Sequence, residues 1–236
     1  MSELTILCVS DLSYLFFVKT VFNSIKCNVK IPYRFHLHTI NVSEKEIESF
    51  KNEYENIEFT NDKIELDDKP NINNAFGKSK KAAYCANIRA KILYDLMSKG
   101  VEYILYLDAD SIVRKNLNEL LSLIKQTDLI IFRRDEVKRL NLKVLTSVIG
   151  VNNNEKSFKF VECWKNFMLQ EDILYSWFSD QRYFYETMLK CTDVKVHHLP
   201  KHYTDSSFSN ESVIWNGKAD RKFKDKKYIK EMRRCK

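Results

Sequence analysis

The chain has 236 residues, 44% of them hydrophobic, which is enough for one sizeable core and too little for two. Its net charge of +7 suits nucleic acid, anionic lipid or a phosphorylated ligand, so where the charge sits matters more than its size, and much of it sits at the C-terminus. Residues 1–9 lack a basic leader and the apolar run 12–18 is too short to cross a bilayer, so a cytoplasmic protein without signal peptide or membrane span is expected. Cys8, Cys27, Cys85, Cys163, Cys191 and Cys235 are scattered with no zinc-knuckle or redox spacing, which reads as reduced thiols.

Taken in chain order, Leu4 to Val9 is a short strand, followed by Asp11 and a helical period from Leu12 to about Ile25. A second strand spans Tyr33 to Ile40, and the Ser43 to Glu46 spacing is a capping box that opens a helix to about Tyr54. A short strand covers Ile57 to Phe59. Residues 61–78 contain Pro70 and Gly77 and show no period, which predicts a long loop of the kind that often carries function. Ser79 to Lys99 reads as one long helix ended by Gly100. Tyr103 to Leu107 is a buried-type strand, Asn116 caps a helix through Gln126, and Leu129 to Phe132 is another strand. Beyond these come a strand at Leu145 to Val151, helices at Phe158 to Leu169 and Asp180 to Leu189, and a strand at Val194 to Leu199. Alternating strands and helices on short connections predict an α/β sandwich with a mainly parallel sheet. A single domain over residues 1–220 with a basic tail over 221–236 is the expected organisation.

The informative segment is YILYLDADSIVRKNL, Tyr103 to Leu117, where Asp108 and Asp110 follow a buried strand. In extended backbone this spacing turns both carboxylates to one side. Ligands of open α/β sheets bind at the carboxyl ends of the strands, where this pair falls. Converged carboxylates repel unless a cation joins them; hard oxygen ligands suit Mg2+ or Mn2+, which in turn grips a diphosphate. Such an ion acts as a Lewis acid on the departing nucleotide. The plain alternative is a turn capped by aspartates. Arg89 shares a helix stripe with Ala86, Ala90, Leu93 and Met97, and an arginine on a buried face needs an anionic partner, either a donor molecule or a carboxylate such as Asp108.

These segments resemble the GT-A (Rossmann-like) glycosyltransferases, most closely glycosyltransferase family 8 with its lipopolysaccharide galactosyltransferases and glycogenin-like members, from Leu4 to about Gly217. The resemblance implies a UDP-sugar donor, a divalent metal at Asp108 and Asp110 with Ala109 between them, and a glycan, glycolipid or lipopolysaccharide acceptor, with retention at the anomeric carbon. Through ILCVSDLSY it places Val9, Ser10 and Asp11 against the base or ribose and Tyr14 as an aromatic face, with ordinary helix packing as the other reading of Tyr14. Through YCANIRAKILYDLM it brings Arg89 to the donor. Through SVIGV it sets Gly150 beside the transferred sugar, a bulge being the alternative. Through WFSDQRYFYE it makes Asp180 and Gln181 the pair that orients sugar hydroxyls, Asp180 also accepting the acceptor's proton or capping its helix.

One departure stands out. Family members supply a histidine as third metal ligand in a His-x-x-Gly-x-x-Lys-Pro-Trp stretch, whereas the matching IWNGKADRK has Ile214 in that place. His198, His202, Asp205 or Asn216 are the candidates left for a third ligand, and Lys218 and Arg221 for holding the diphosphate. A zinc site at His197, His198 and His202 is a weaker reading. The final RKFKDKKYIKEMRRCK either docks on anionic lipid or is a solvated tail. A nucleotidyltransferase would place a glycine-rich loop after its first strand, and VSDLSY has none. A nucleic-acid partner is not expected, since only the tail is basic and aromatic.

Overall fold

A computed structural model describes residues 3–66 and 68–234. In chain order the elements are β1 (Leu4–Asp11), α1 (Leu15–Asn28), β2 (Tyr33–Ile40), α2 (Glu44–Glu53), β3 (Ile57–Asp62), α3 (Lys80–Asn87), α4 (Arg89–Ser98), β4 (Tyr103–Leu107) and β5 (Ser111–Val113). They continue with α5 (Asn118–Gln126), β6 (Leu129–Arg133), β7 (Val144–Asn152), α6 (Glu155–Met168), α7 (Glu171–Leu174), α8 (Ser179–Lys190), β8 (Val196–His198), β9 (Ile214–Asn216), α9 (Arg221–Lys224) and α10 (Lys226–Arg234). Cys235 lies outside the described residues; the other five cysteines are free thiols.

Seven strands form one sheet in the order β3-β2-β1-β4-β7-β6-β8, and β7 alone runs against its neighbours. The expected mainly parallel α/β sandwich is therefore the fold. Both faces of the sheet are covered, which is why its strands read as apolar runs rather than as alternations. Successive residues of β1 serve opposite faces. Ile6 and Cys8 pack against α1, α2 and α5, while Leu7 and Val9 join the layer of α3, α4, α6 and α8. Phe22 of α1 stacks on Phe35 of β2 with ring centroids 3.9 Å apart, and such a buried phenylalanine contributes about 1.5–3 kcal/mol through the area it hides from water. The capping box at Ser43 and Glu46 forms as expected.

The expected single helix over Ser79 to Lys99 is two, because Ile88 separates α3 from α4. Flanking side chains are tied elsewhere: Asn87 donates to the carbonyls of Ile173, Leu174 and Ser176, and Arg89 Nε to that of Ala86. A second correction concerns residues 108–111. The backbone there is a tight turn, with Ser111 N donating to Asp108 O at 2.9 Å, rather than extended strand. The segment expected as a tail is likewise folded over 221–234 into α9 and α10, which bury Lys222 and Tyr228. What holds these helices is a small apolar cluster of Phe17, Ile112, Phe208, Trp215 and Tyr228, which joins α1 to the two-stranded sheet of β5 and β9.

A buried histidine pair links β2 to β3. His36 Nε2 and His38 Nδ1 both reach the Thr60 hydroxyl, at 3.0 and 2.8 Å, and His38 Nε2 lies 3.3 Å from Asp62. Burial is the main force that lowers the His38 pKa to about 4, with His36 and Lys91 adding to it and Asp62 opposing it. A folded pKa below the unfolded one means that the stability is complete above the unfolded value and is lost as pH falls toward the folded value. About 2 kcal/mol of stability is therefore expected to disappear between about pH 7.5 and about pH 5 through this group. Urea midpoints should show the loss in the natural chain and a shallower pH dependence in His38→Gln; equal slopes would dismiss the assignment.

Candidate active site

The carboxyl ends of β1 and β4 and the end of β7 that adjoins them bring together the groups that the sequence singled out. Asp108 leaves β4 with its backbone N–H donating to the Ser147 carbonyl at 2.9 Å, so the acid turn is hung on β7. Arg89 comes from the first turn of α4 and is 6% exposed. Its Nη1 lies 3.1 Å from Asp108 Oδ1 and 3.7 Å from Asp180 Oδ2, and donates to the Thr146 carbonyl at 2.7 Å. The Tyr106 hydroxyl donates to the same Asp108 oxygen at 2.9 Å, and the Arg89 guanidinium stands 4.6 Å over the Tyr106 ring. Burial opposes the charge on Arg89, but Tyr106, Asp108 and Asp180 outweigh it and raise its pKa. Asp180 is raised by its burial, with Arg89 and the Thr146 hydroxyl pulling the other way. Two acids around one buried guanidinium are therefore positioned by charge, and each loses its counter-charge if Arg89 is removed.

Asp110 has a different environment. Lys222 Nζ from α9 sits 2.6 Å from its Oδ2, and the Tyr228 hydroxyl from α10 donates to its backbone carbonyl at 2.7 Å. Burial lifts its carboxyl pKa to about 6, helped by Asp108 and opposed by Lys222. Gly217 lies directly against it. A Cβ at that position would stand 2.7 Å from Asp110 Cγ, so only glycine leaves room for the carboxylate there. Ala109, between the two acids, is buried in the α1 and α5 layer.

The remaining candidates divide. Val9 and Ser10 are buried at the end of β1, Val9 in the core and the Ser10 hydroxyl donating to the Asp11 carbonyl at 2.9 Å. Asp11 faces Lys81 at 3.3 Å, and the Tyr14 hydroxyl accepts from Lys222 at 2.7 Å. The Gln181 Oε1 is buried without a hydrogen-bond partner among the described residues. Asp180 does not cap its helix: Phe178, in the left-handed region at φ 69°, holds that place, and the Asp180 carboxylate is given to Thr146 and Arg89. Gly150 does not line the site. A Cβ there would lie 2.3 Å from Ile130 Cγ1 and 2.7 Å from Ile124 Cγ1, so packing of α5 on the sheet explains this glycine.

Lys218 is exposed, and the lysine that meets Asp110 is Lys222 instead. Arg221 is turned away to the Ser206 carbonyl. No group of three or more His, Cys, Asp or Glu converges among the described residues. Asp205 is spent on Ser207, Ser209 and Ser212, and the Asn216 Nδ2 donates to the Ser111 hydroxyl at 2.9 Å. Thr146, Tyr106, Gly217 and Lys222 are the residues that sequence reasoning missed. The place of Gly217 in the resemblance was the one available signal, whereas Lys222 is one lysine in a lysine-rich run.

The profile described as Glycosyl transferase family 8 matches residues 5–173. The chain belongs to glycosyl transferase family 8. Its structural neighbours are GT-A glycosyltransferases, as the first strand, the acid turn and the Asp-Gln segment implied, and it is a glycosyltransferase. Mouse xyloside xylosyltransferase 1 superposes with a TM-score of 0.60 at 11% identity, over 93% of this chain and 99% of that one. LgtC, as an active-site mutant, gives 0.57 at 15% identity over 92% of this chain and 88% of its own. The glycosyltransferase GlyE of Streptococcus pneumoniae gives 0.55 at 14% identity, and there this chain spans only 55% of the other. No curated protein matches the sequence. Family 8 enzymes generally use a divalent ion and a nucleotide sugar; Asp108 and Asp110 offer hard carboxylate oxygens of the kind such an ion takes, each engaged here by a cationic side chain, Arg89 and Lys222.

Proposed function

We propose that this enzyme transfers a hexose from a nucleotide diphosphate sugar, most simply a UDP-sugar, to a glycan or lipid-linked acceptor of lipopolysaccharide type, with retention at the anomeric carbon. The observation that carries the reading is the cluster of buried Arg89 and Asp180 with half-buried Asp108 at the carboxyl ends of the strands, beside Asp110. A Mn2+ or Mg2+ ion on Asp108 and Asp110 supplies Lewis-acid stabilisation of the departing diphosphate when bound. The chain's own groups do the rest. The end of β1, Val9 to Asp11, takes the base and ribose through backbone and carboxylate, with Tyr14 beside it. Arg89 holds Asp108 and Asp180 in register. Gln181, whose Oε1 is an unused buried acceptor, receives a hydroxyl of the transferred sugar together with Asp180. Exposed Lys218, on the turn after Gly217, covers the outer phosphate.

The acceptor side is assigned to the loop after β3. Asn74 ties this loop to the Tyr175 carbonyl and to Trp177 N, and exposed Phe76 packs edge-on to Phe178 with ring centroids 6.0 Å apart, two residues from Asp180. Incubation with a panel of UDP-sugars and MnCl2 tests the proposal: one donor should release UDP and add a hexose mass to an acceptor. Release of UDP with no donor in the panel would sink it.

No helix of the described residues is long and apolar enough to cross a membrane. Peripheral contact with the anionic inner face of a membrane is proposed instead. Phe223 and Phe16, 60% and 49% exposed, both pack on Phe17, and Lys226, Lys227 and Lys230 are exposed on the neighbouring α10. Deleting residues 221–236 would also strip Lys222 and Tyr228 from the acid turn, so charge reversal of the three exposed lysines is the cleaner test. It should lower partition onto phosphatidylglycerol vesicles at least about tenfold, at about 1 kcal/mol per lysine, and leave the urea midpoint unchanged. Unchanged partition would dismiss the membrane role.

A further inference from the structure

Lys222 belongs to a solvent-facing run of lysines, yet it is 4% exposed. A buried ammonium keeps its charge only where carboxylates, hydroxyls and aromatic faces replace its water. Lys222 has all three. Its Nζ lies 2.6 Å from Asp110 Oδ2, donates to the Tyr14 hydroxyl at 2.7 Å, and stands 4.4 Å over the Tyr14 ring and 5.2 Å over that of Phe17. Four residues along the same peptide, α10 begins, and its Tyr228 hydroxyl grips the Asp110 carbonyl at 2.7 Å. The C-terminal helices thus hold Asp110 twice, once by its charge and once by its backbone.

That carboxylate is also the one assigned above to the divalent ion. A carboxylate that already carries an ammonium at 2.6 Å cannot take a divalent cation beside it without severe repulsion, because burial leaves little water to screen like charges. We propose that Lys222 is an internal competitor for the divalent ion: it neutralises Asp110 in the empty enzyme and is expelled when the ion binds. The inference rests on the reading of Asp108 and Asp110 as the ion's ligands. Expulsion removes the ion pair that ties α9 to the acid turn, leaving Arg221 on the Ser206 carbonyl, so ion binding loosens the segment that also bears the exposed Phe223 and the lysines of α10. A freed ammonium beside a bound diphosphate would be drawn to its charge, so ion and nucleotide would strengthen each other's binding.

The test is a titration of the full chain with MnCl2 alone, read by the paramagnetic resonance of the free ion. Lys222→Met is expected to tighten Mn2+ binding about tenfold or more, since the competitor is gone. Lys222→Arg keeps the charge and should stay near the natural affinity. In the natural chain, MnCl2 should speed amide exchange across residues 221–234. Unchanged Mn2+ affinity in Lys222→Met, while Asp110→Asn still abolishes binding, overturns the role of Lys222 and leaves the acid pair intact. Equal Mn2+ binding by the natural chain and by Asp108→Asn/Asp110→Asn overturns the reading of the pair itself. Should Lys222→Met fail to fold, exchange in the natural chain decides: faster exchange with Mn2+ bound supports expulsion, and unchanged exchange with Mn2+ bound overturns it.

Discussion

Arg89→Met should cut kcat/KM for sugar transfer by about a thousandfold or more and lower stability by roughly 3–5 kcal/mol. Both effects have one cause. Arg89 is 6% exposed and is the cation between Asp108 and Asp180, whose separations from its Nη1 are 3.1 and 3.7 Å. Methionine fills much of the same volume without charge, so packing is largely kept while two acids lose their common partner and the Thr146 carbonyl loses its donor. Repulsion between the acids then pulls Asp108 from the position that Tyr106 and β7 define. Urea unfolding and steady-state kinetics on the same preparation check the pair of effects. A variant that loses activity without losing stability would make Arg89 a donor contact only, and one that loses neither would remove it from the site.

Asp180→Asn is the second large effect, and it separates positioning from donor binding. Asparagine has the same shape, can still accept from the Thr146 hydroxyl, and keeps the Asp180 backbone contacts to Asn87 and Trp164. What it lacks is the charge that balances Arg89 from the α8 side. The expected result is a fall in kcat of about a hundredfold to a thousandfold with UDP affinity changed by only a few fold, because the proposed nucleotide site is the end of β1 and the acid turn. Rapid-quench turnover and calorimetric UDP titration give the two numbers separately. A loss confined to UDP affinity would place Asp180 on the nucleotide rather than on the sugar.

How much of this was legible in the sequence depended on whether the relevant physics was local. Strand and helix positions followed from apolar period and from caps such as Ser43 with Glu46, and Tyr33–Ile40 and Tyr103–Leu107 fall where the pattern put them. The acid turn stood out because two aspartates at the end of a buried strand are a local oddity. Its backbone did not, since the hydrogen bond that closes Asp108 to Ser111 leaves no mark in composition. Arg89 was found from its place on a buried stripe, although which acid it meets is a matter of tertiary contact. Gly150 misled because a glycine kept for Ile130 and Ile124 and a glycine kept for a ligand look alike in sequence. Lys222 was hidden for the opposite reason: nothing marks one lysine among many until the Phe208, Trp215 and Tyr228 cluster folds α9 against Asp110.

Whether the acid turn holds the ion that carries the nucleotide is decided by calorimetric titration of UDP, with and without MnCl2, into the natural chain and into Asp108→Asn/Asp110→Asn. Mn2+ is expected to strengthen UDP binding in the natural chain, and the folded double variant to lose this gain together with transfer. A double variant that keeps its fold, binds UDP as tightly with Mn2+ and transfers sugar at the natural rate would contradict it.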